Sequence, residues 1–153
     1  MRQEMETKIQ KEFIDTGFGF PVKLMNVPMV KVRGQWTPKI NYNGFADAVL
    51  FALAEQHSRL TGDEIKFIRN RFEMTLQDFG KRFDVSHAAV LKWEKMGDKP
   101  TPMNWPTEKD IRMFILARLR ANPRDLAKLY AALAVLPEGK AKAIHLDAAD
   151  LAA

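Results

Sequence analysis

The hydrophobic pattern changes its period along the chain, from short runs near the N-terminus to helical spacing beyond about residue 43. Residues 7–14 alternate as in a strand, and although Ile9 and Phe13 also fit one face of a helix, we favour the strand. The segment Asn26-Val27-Pro28 predicts a break between two further strands, because asparagine and proline favour turns. The strands predicted after the first are 20–24, 29–33 and, at a sheet edge because of Pro38, 36–40.

Helix start signals recur through the rest of the chain. A threonine, serine or asparagine side chain can accept a free amide of the first turn, and an acidic residue three positions later can return the bond. By these signals, helices begin at Asn43, Thr61, Thr75, Ser86, Thr107 and Asn122. The first should run to about His57 and the fifth to about Arg120. The alanine-rich residues 140–153 predict either a last helix or a frayed tail.

These elements predict a mainly α fold with a small N-terminal β module, in the α+β class. We expect a β-rich module over residues 1–43, a helical domain over 44–120, and a C-terminal helix and tail over 121–153. The last section has four basic and four acidic residues, so its apolar seam is the predicted dimerisation surface. The seam consists of Leu126, Leu129, Tyr130, Leu133 and Leu136.

Composition narrows the class of protein and of partner. A chain of 153 residues provides one or two small domains. Its net charge of +5 favours an anionic partner, with nucleic acid ahead of a membrane surface. The absence of cysteine excludes disulfides and thiolate metal sites, and suits a reducing cytoplasm. No apolar run has the length of a signal peptide or a membrane span, so we expect a cytoplasmic protein without membrane contact.

No catalytic constellation can be recognised. His57 and His145 have no partners at metal-ligand spacing, and Asp147 and Asp150 fit solvated carboxylates better than catalytic ones. We therefore expect no enzymatic activity, no cofactor and no metal site. An enzyme would need a nucleophile, an acid–base pair or a metal cluster that the sequence does not indicate.

The segment 75–94 reads as two short helices joined by a tight turn. Gly80 supplies the small residue needed where the helices cross, and Asp84 can adopt the unusual backbone angle of the turn. Val90 and Trp93 should be buried on the inner face of the second helix. The inner face of the first helix would be formed by Leu76, Phe79 and Phe83.

The run 60–69, followed by Met74-Thr75 and by 85–94, resembles the helix-turn-helix domains of Cro/CI-type (XRE) regulators, and within them most closely the Mqs-type antitoxins. Residues 15–29 resemble the small N-terminal β module of those antitoxins. The antitoxin module holds zinc through paired cysteines, which this chain lacks, so the metal is not carried over.

The resemblance implies a repressor-like helical bundle that binds a pseudo-palindromic double-stranded DNA operator as a homodimer. It further implies an antitoxin that represses its own operon and binds a toxin through its N-terminal module. Ala88 stands where the Mqs-type pattern has asparagine, and Lys92 where the family has arginine or glutamine, so the operator should differ from theirs.

The predicted DNA contacts fall into two groups. Those facing the bases are His87, Ala88, Leu91 and Lys92. Those facing phosphates, through hydroxyl, amide or cationic groups, are Arg69, Arg71, Thr75, Gln77, Ser86, Lys95 and Lys99.

Other interpretations remain open from sequence alone. The chain could be a stand-alone transcription factor without a toxin, or a protein-interaction adaptor that has lost DNA binding. Likewise His87, Lys92 and Lys95 could be ordinary solvated surface residues.

Overall fold

The computed structural model describes residues 5–151 and divides the chain into two compact units. The first unit contains the residues up to Ala48 together with those from Ala143 onward, and the second spans Val49–Lys142. The described residues form six α-helices and a small mixed sheet of four strands, so the predicted α+β class is confirmed. The predicted C-terminal section 121–153 is divided between the two units.

The sheet lies in the first unit and is centred on one long strand. β1 (Thr7–Asp15) pairs antiparallel with the central strand β2 (Val22–Val32). On the other side of β2, β3 (Gln35–Pro38) pairs antiparallel with its second half, and β4 (Ile144–Asp147) pairs parallel with its first half. The prediction of a strand over residues 7–14 is confirmed. The side chains of β2 that the sheet buries are Val22, Leu24, Val27 and Met29.

β2 runs through Asn26 and Pro28, where the sequence predicted a break between two strands. Asn26 has a φ of 54°, a left-handed conformation that asparagine adopts more readily than most residues. Pairing with β1 skips Asn26 and the facing Lys11, and buried positions change from even to odd numbers across this point. Pro28 accepts a hydrogen bond from the amide of Lys39. Its missing amide costs no ladder bond, because Pro28 lies between the β4-paired and β3-paired parts of β2.

The described residues 140–151 form neither the helix nor the tail expected from their alanine content, and residues 152 and 153 of that prediction lie outside the described residues. β4 occupies 144–147, and a short 3₁₀ helix follows over Ala148–Leu151. Ile144 and Ala148 are buried, and the amide of Asn41 donates to the carbonyl of Leu151. A strand of four residues is too short to give a clear alternating pattern beside alanine-rich neighbours. The contact with β2 that stabilises this strand is remote in sequence, so the local pattern does not indicate it.

The helices follow in a simple order. Their bounds are α1 (Tyr42–Glu55), α2 (Gly62–Arg71), α3 (Leu76–Arg82), α4 (His87–Glu94), α5 (Trp105–Arg118) and α6 (Pro123–Ala132). The predicted caps Thr61, Thr75, Ser86 and Asn122 are confirmed, each accepting the amide three residues later.

Two predicted caps are wrong. Asn43 lies inside α1, and it is the side chain of Asn41 that accepts the amide of Gly44, at 2.8 Å. Thr107 lies inside α5, whose cap is Asn104 with an Asn104 Oδ1 to Thr107 N distance of 2.9 Å. In both cases the true cap is an asparagine two or three residues upstream of the predicted one, and proline in the first turn of α5 is compatible with the earlier start.

A buried charge network joins the loop after α1 to α5. Arg112 and Glu108 are almost fully buried, and Arg112 Nη2 lies 2.7 Å from Glu108 Oε2. The other carboxylate oxygen of Glu108 accepts from Arg59 Nε at 2.7 Å. Arg112 also donates to the carbonyls of Gln56 and Ser58. These bonds satisfy the buried charges and fix the loop that leads into α2.

Candidate nucleic-acid interface

α3 and α4 meet at a tight turn in which two predicted residues play the expected roles. A Cβ on Gly80 would lie 2.6 Å from the carbonyl oxygen of Val85, so no larger residue fits where the helices meet. The amide of Val85 donates to the carbonyl of Gly80 at 2.9 Å. Asp84 takes a left-handed φ of 58°. The turn therefore depends on glycine at one position and on a residue that tolerates positive φ at another.

α4 has one buried face and one exposed face. Val90 is fully buried and Trp93 is 6% exposed, which confirms their predicted inward orientation. Leu91, a large apolar residue on the other face of the helix, is 39% exposed. The side chains on the exposed face are His87, Ala88, Leu91, Lys92 and Lys95. The four residues predicted to face DNA bases are thus brought together on one accessible surface.

The start of α4 differs in charge from the start of α3. Ser86 Oγ accepts the amide of Ala89 at 3.1 Å, and the first turn of α4 contains no acidic residue. Thr75 Oγ1 accepts the amide of Asp78, but the Asp78 carboxylate lies in the same turn and faces the amide of Thr75. Because a helix start attracts anions, the uncompensated start of α4 is the better place for a phosphate. Gln77 is exposed in the first turn of α3.

Arg69 does not project freely from α2, although the sequence suggested it as a phosphate contact. Its guanidinium forms a two-pronged ion pair with Glu94 at the end of α4, with distances of 2.7 and 2.9 Å. A third bond, from Nη1 to the carbonyl of Met74, is 2.9 Å long. The hydrogen bonds to Glu94 raise the pKa of Arg69, which is charged in any case. Arg69 therefore fixes α4 against α2.

A second contact between α2 and α4 depends on Gly62. A Cβ at this position would meet the carbonyl oxygen of Trp93 and would lie 2.8 Å from the amide nitrogen of Gly97. The amide of Gly62 donates to the carbonyl of Lys99. Neither this contact nor the Arg69–Glu94 pair could be read from the sequence, because the partners are 25 to 35 residues apart.

The remaining residues predicted to contact phosphates lie near the C-terminal ends of α4 and α2. Lys95 and Lys99 are exposed in and after the last turn of α4, near a turn in which Gly97 has a φ of 62°. Arg71 is half-buried at the end of α2. The exposed face of α4 is thus flanked by cationic side chains at its C-terminal end and by hydroxyl and amide groups at its start.

The predicted apolar seam of the C-terminal section is divided by the fold. Leu129 and Leu133 are buried within the second unit, whereas Tyr130 is 75% and Leu136 43% exposed. A groove of about 330 Å³ lies beside Tyr130, between α5 and α6. Leu126 is half-buried. Two of the five seam residues therefore belong to the core, and two remain on the surface.

The chain was compared with known protein families, with curated proteins and with solved structures, and none matches. No α-helix among residues 5–151 is both long and apolar enough to span a bilayer. Over the same residues, histidine and carboxylate side chains form no cluster of three that could hold a metal ion.

Proposed function

We propose that this protein is a sequence-specific double-stranded DNA-binding regulator in which α3 and α4 act as a helix-turn-helix. The observation that carries the proposal is the exposed face of α4, where small and basic side chains stand opposite a buried valine and tryptophan. An α-helix fits the major groove of B-DNA when the side chains that meet the base edges are short or hydrogen-bonding. α4 offers this combination.

On this proposal, the base-facing residues divide by chemistry. Lys92 donates to guanine O6 and N7, without the fixed fork of arginine. Ala88 and Leu91, both exposed, offer methyl groups that pack against the methyl group of thymine. His87, in the first turn, offers a ring nitrogen to a base edge or to a phosphate.

The phosphate contacts are proposed at both ends of the same face. Ser86 and the amides of the first turn of α4 receive one phosphate, and Lys95 and Lys99 attract others. Thr75 and Gln77 contribute at the start of α3, where Asp78 reduces the attraction for anions. Arg69 acts as a positioning residue through Glu94 and not as a contact.

Operator binding is proposed to involve two copies of the chain. Each copy would read one half of a pseudo-palindrome, about one helical turn from the other half. Tyr130 and Leu136 are the exposed part of the predicted dimer seam, and the neighbouring Val135 adds an exposed apolar side chain to it. Repression of its own operon and binding of a toxin through the N-terminal module remain predictions of the antitoxin resemblance alone. A stand-alone transcription factor is the alternative with the same DNA chemistry.

The decisive experiment measures binding of the full chain to the DNA upstream of its own gene by fluorescence anisotropy, over a series of salt concentrations. We expect Lys92→Ala to lower the specific affinity by about 1–3 kcal/mol, because one good base contact has that value. Lys128→Ala removes an exposed lysine from α6 and is the matched control, expected to leave the affinity unchanged. Lys95→Ala should weaken specific and random DNA equally, as a phosphate contact does.

Two results would contradict the proposal. Binding that is absent or independent of salt would exclude DNA contact through phosphates, and would favour the protein-interaction adaptor. An equal loss of affinity in Lys92→Ala and Lys128→Ala would show that general positive charge, and not α4, accounts for binding.

A further inference from the structure

The outer edge of β1 is an unpaired sheet edge among the described residues. β1 spans nine residues, and no described residue pairs with the edge that faces away from β2. The amide of Lys31 donates to the carbonyl of Glu6, so the backbone amide and carbonyl groups of even-numbered residues at this end of β1 point towards β2. Because strand residues alternate in direction, the amides of Thr7 and Ile9 point to the open edge. These are groups that another strand can pair with.

Two large apolar side chains accompany this edge. Ile9 is 68% exposed and Ile14 is 53% exposed. Ile9 faces Pro28 and Ile14 faces Lys23 across the β1–β2 pair, and neither Pro28 nor Lys23 belongs to the buried set of β2. Both isoleucines therefore lie on the face of the sheet turned away from its core. In a regular strand, an odd-numbered and an even-numbered residue would lie on opposite faces. The skipped pairing at Lys11 and Asn26 accounts for this change of phase.

The charges along β1 would match those of a second copy of the same strand paired with it in the antiparallel direction. Reading outward from the midpoint between Lys11 and Glu12, each basic residue on one side has an acidic residue at the same distance on the other. Lys11 mirrors Glu12, and Lys8 mirrors Asp15, while Ile9 mirrors Ile14. An antiparallel second copy centred on this midpoint would place all three kinds of pair directly opposite one another, each of them twice.

We propose that β1 is a self-association edge, which pairs antiparallel with β1 of a second copy about the midpoint between Lys11 and Glu12. Lysines on an edge strand normally prevent pairing with other strands. Here each lysine would meet a carboxylate, and Glu12, which lies 3.2 Å from Lys23 of its own chain, would lie between that lysine and Lys11 of the second copy. Opposite charges on directly facing residues stabilise a strand pair. The pattern therefore selects another copy of this chain over an unrelated strand. This proposal does not depend on DNA binding by α4.

The first experiment reverses one charge at a time in the full chain and measures the dissociation constant of self-association by sedimentation. Lys11→Glu alone places two glutamates opposite Glu12 residues, and Glu12→Lys alone places lysines opposite lysines. We expect each variant to raise the dissociation constant about tenfold, because facing like charges are destabilising. An equimolar mixture of the two variants restores opposite charges at both positions, and should associate as tightly as the unaltered protein. A folding defect would not be repaired by mixing.

The second experiment tests the register, and uses the absence of cysteine from the chain. In the proposed pairing, position 9 of one copy faces position 14 of the other, within reach of a disulfide. Two copies of position 9 are about five residues apart along the strands, or roughly 16 Å. Mild oxidation of mixed Ile9→Cys and Ile14→Cys proteins should therefore give a cross-linked dimer that neither variant gives alone.

The proposal is overturned if the single charge reversals leave self-association unchanged, or if the mixture fails to restore it. It is also overturned if cross-linking in the mixed cysteine sample does not exceed that of the separate variants. Either result would leave the edge to a strand of a different protein. The cross-link between positions 9 and 14 reports pairing of β1 itself, whereas Tyr130 and Leu136 belong to α6 and the segment after it.

Discussion

The starts of α2 and α3 use the same capping chemistry in opposite surroundings. At α2, Thr61 and Glu64 exchange hydrogen bonds of 3.2 and 2.9 Å, and both side chains are buried. At α3, Thr75 and Asp78 exchange bonds of 3.0 and 3.5 Å, and both are exposed. The local signal defines where a helix begins, but tertiary contacts decide what its start is used for. The start of α2 is buried against α4, and the start of α3 lies in the candidate interface.

Replacing Gly62 should give the largest effect, because it disturbs the buried start. We expect Gly62→Ala to lower the free energy of unfolding by about 1–3 kcal/mol, as overpacking in a close contact does. The added methyl group would meet backbone atoms of α4 and its following turn, which have no flexible end to move aside. Chemical denaturation monitored by circular dichroism would measure the change.

Gly44→Ala is the matched control within α1. Its Cβ would lie 3.5 Å from Asn41 Oδ1, an ordinary contact, and alanine favours a helix over glycine by up to about 1 kcal/mol. The control should therefore be as stable as the unaltered protein or slightly more so. Equal losses at Gly44 and Gly62 would show that the close approach of α2 to α4 has no energetic weight.

The sequence predicts the local features of this molecule better than the features that depend on remote partners. The capping boxes at Thr61 and Thr75 were predicted correctly, as were the roles of Gly80 and Asp84 in the α3–α4 turn and the burial of Trp93 in α4. These features are local, so their chemistry can be read from spacing alone. The exposed face of α4 followed from the same reasoning, since the buried face of a short helix determines the other.

Features that depend on remote partners were not predicted. β4 is selected by pairing with β2 more than a hundred residues away, and its own alternation is too short to indicate a strand. Arg69 reads as a surface cation until Glu94 is placed beside it. The caps of α1 and α5 were misplaced because two capping residues compete locally in each case, Asn41 with Asn43 and Asn104 with Thr107. Only the packing of the helix decides between them.

Removing the cap hydroxyl should cost more stability at the start of α2 than at the start of α3. This difference should be smaller than the effect of replacing Gly62. Thr61→Ala leaves the buried amide of Glu64 without an acceptor, so its cost should lie near the upper end of the range of about 0.5–2 kcal/mol for such caps. Thr75→Ala exposes the amide of Asp78 to water, which replaces the lost bond, and its cost should lie near the lower end. Thermal unfolding of both variants measures the difference. Equal costs would mean that burial of the cap is energetically irrelevant.

The smallest effect concerns charge in the buried start, and depends on pH. Burial raises the pKa of Glu64, although hydrogen bonds from the Thr61 amide and the Gln56 side chain oppose the shift. The folded state therefore holds a proton more tightly than the unfolded state does, so stability falls as pH rises from about the unfolded value near 4.5 through the higher folded pKa. Glu64→Gln removes this loss, because glutamine carries no charge and its oxygen can still accept the Thr61 amide.

The stability of Glu64→Gln relative to the unaltered protein should accordingly increase between pH 4 and pH 7. Unfolding by denaturant at several pH values across this window measures the trend. Asp63→Asn removes a carboxylate from the same turn at a half-exposed position, and is expected to lose a little stability at pH 7 by weakening the interaction with the helix dipole. The two neighbouring substitutions should thus act with opposite sign at neutral pH. If instead Glu64→Gln changes stability by the same amount at every pH, the buried cap does not hold its carboxylate at a cost, and the contrast between the starts of α2 and α3 lies in packing alone.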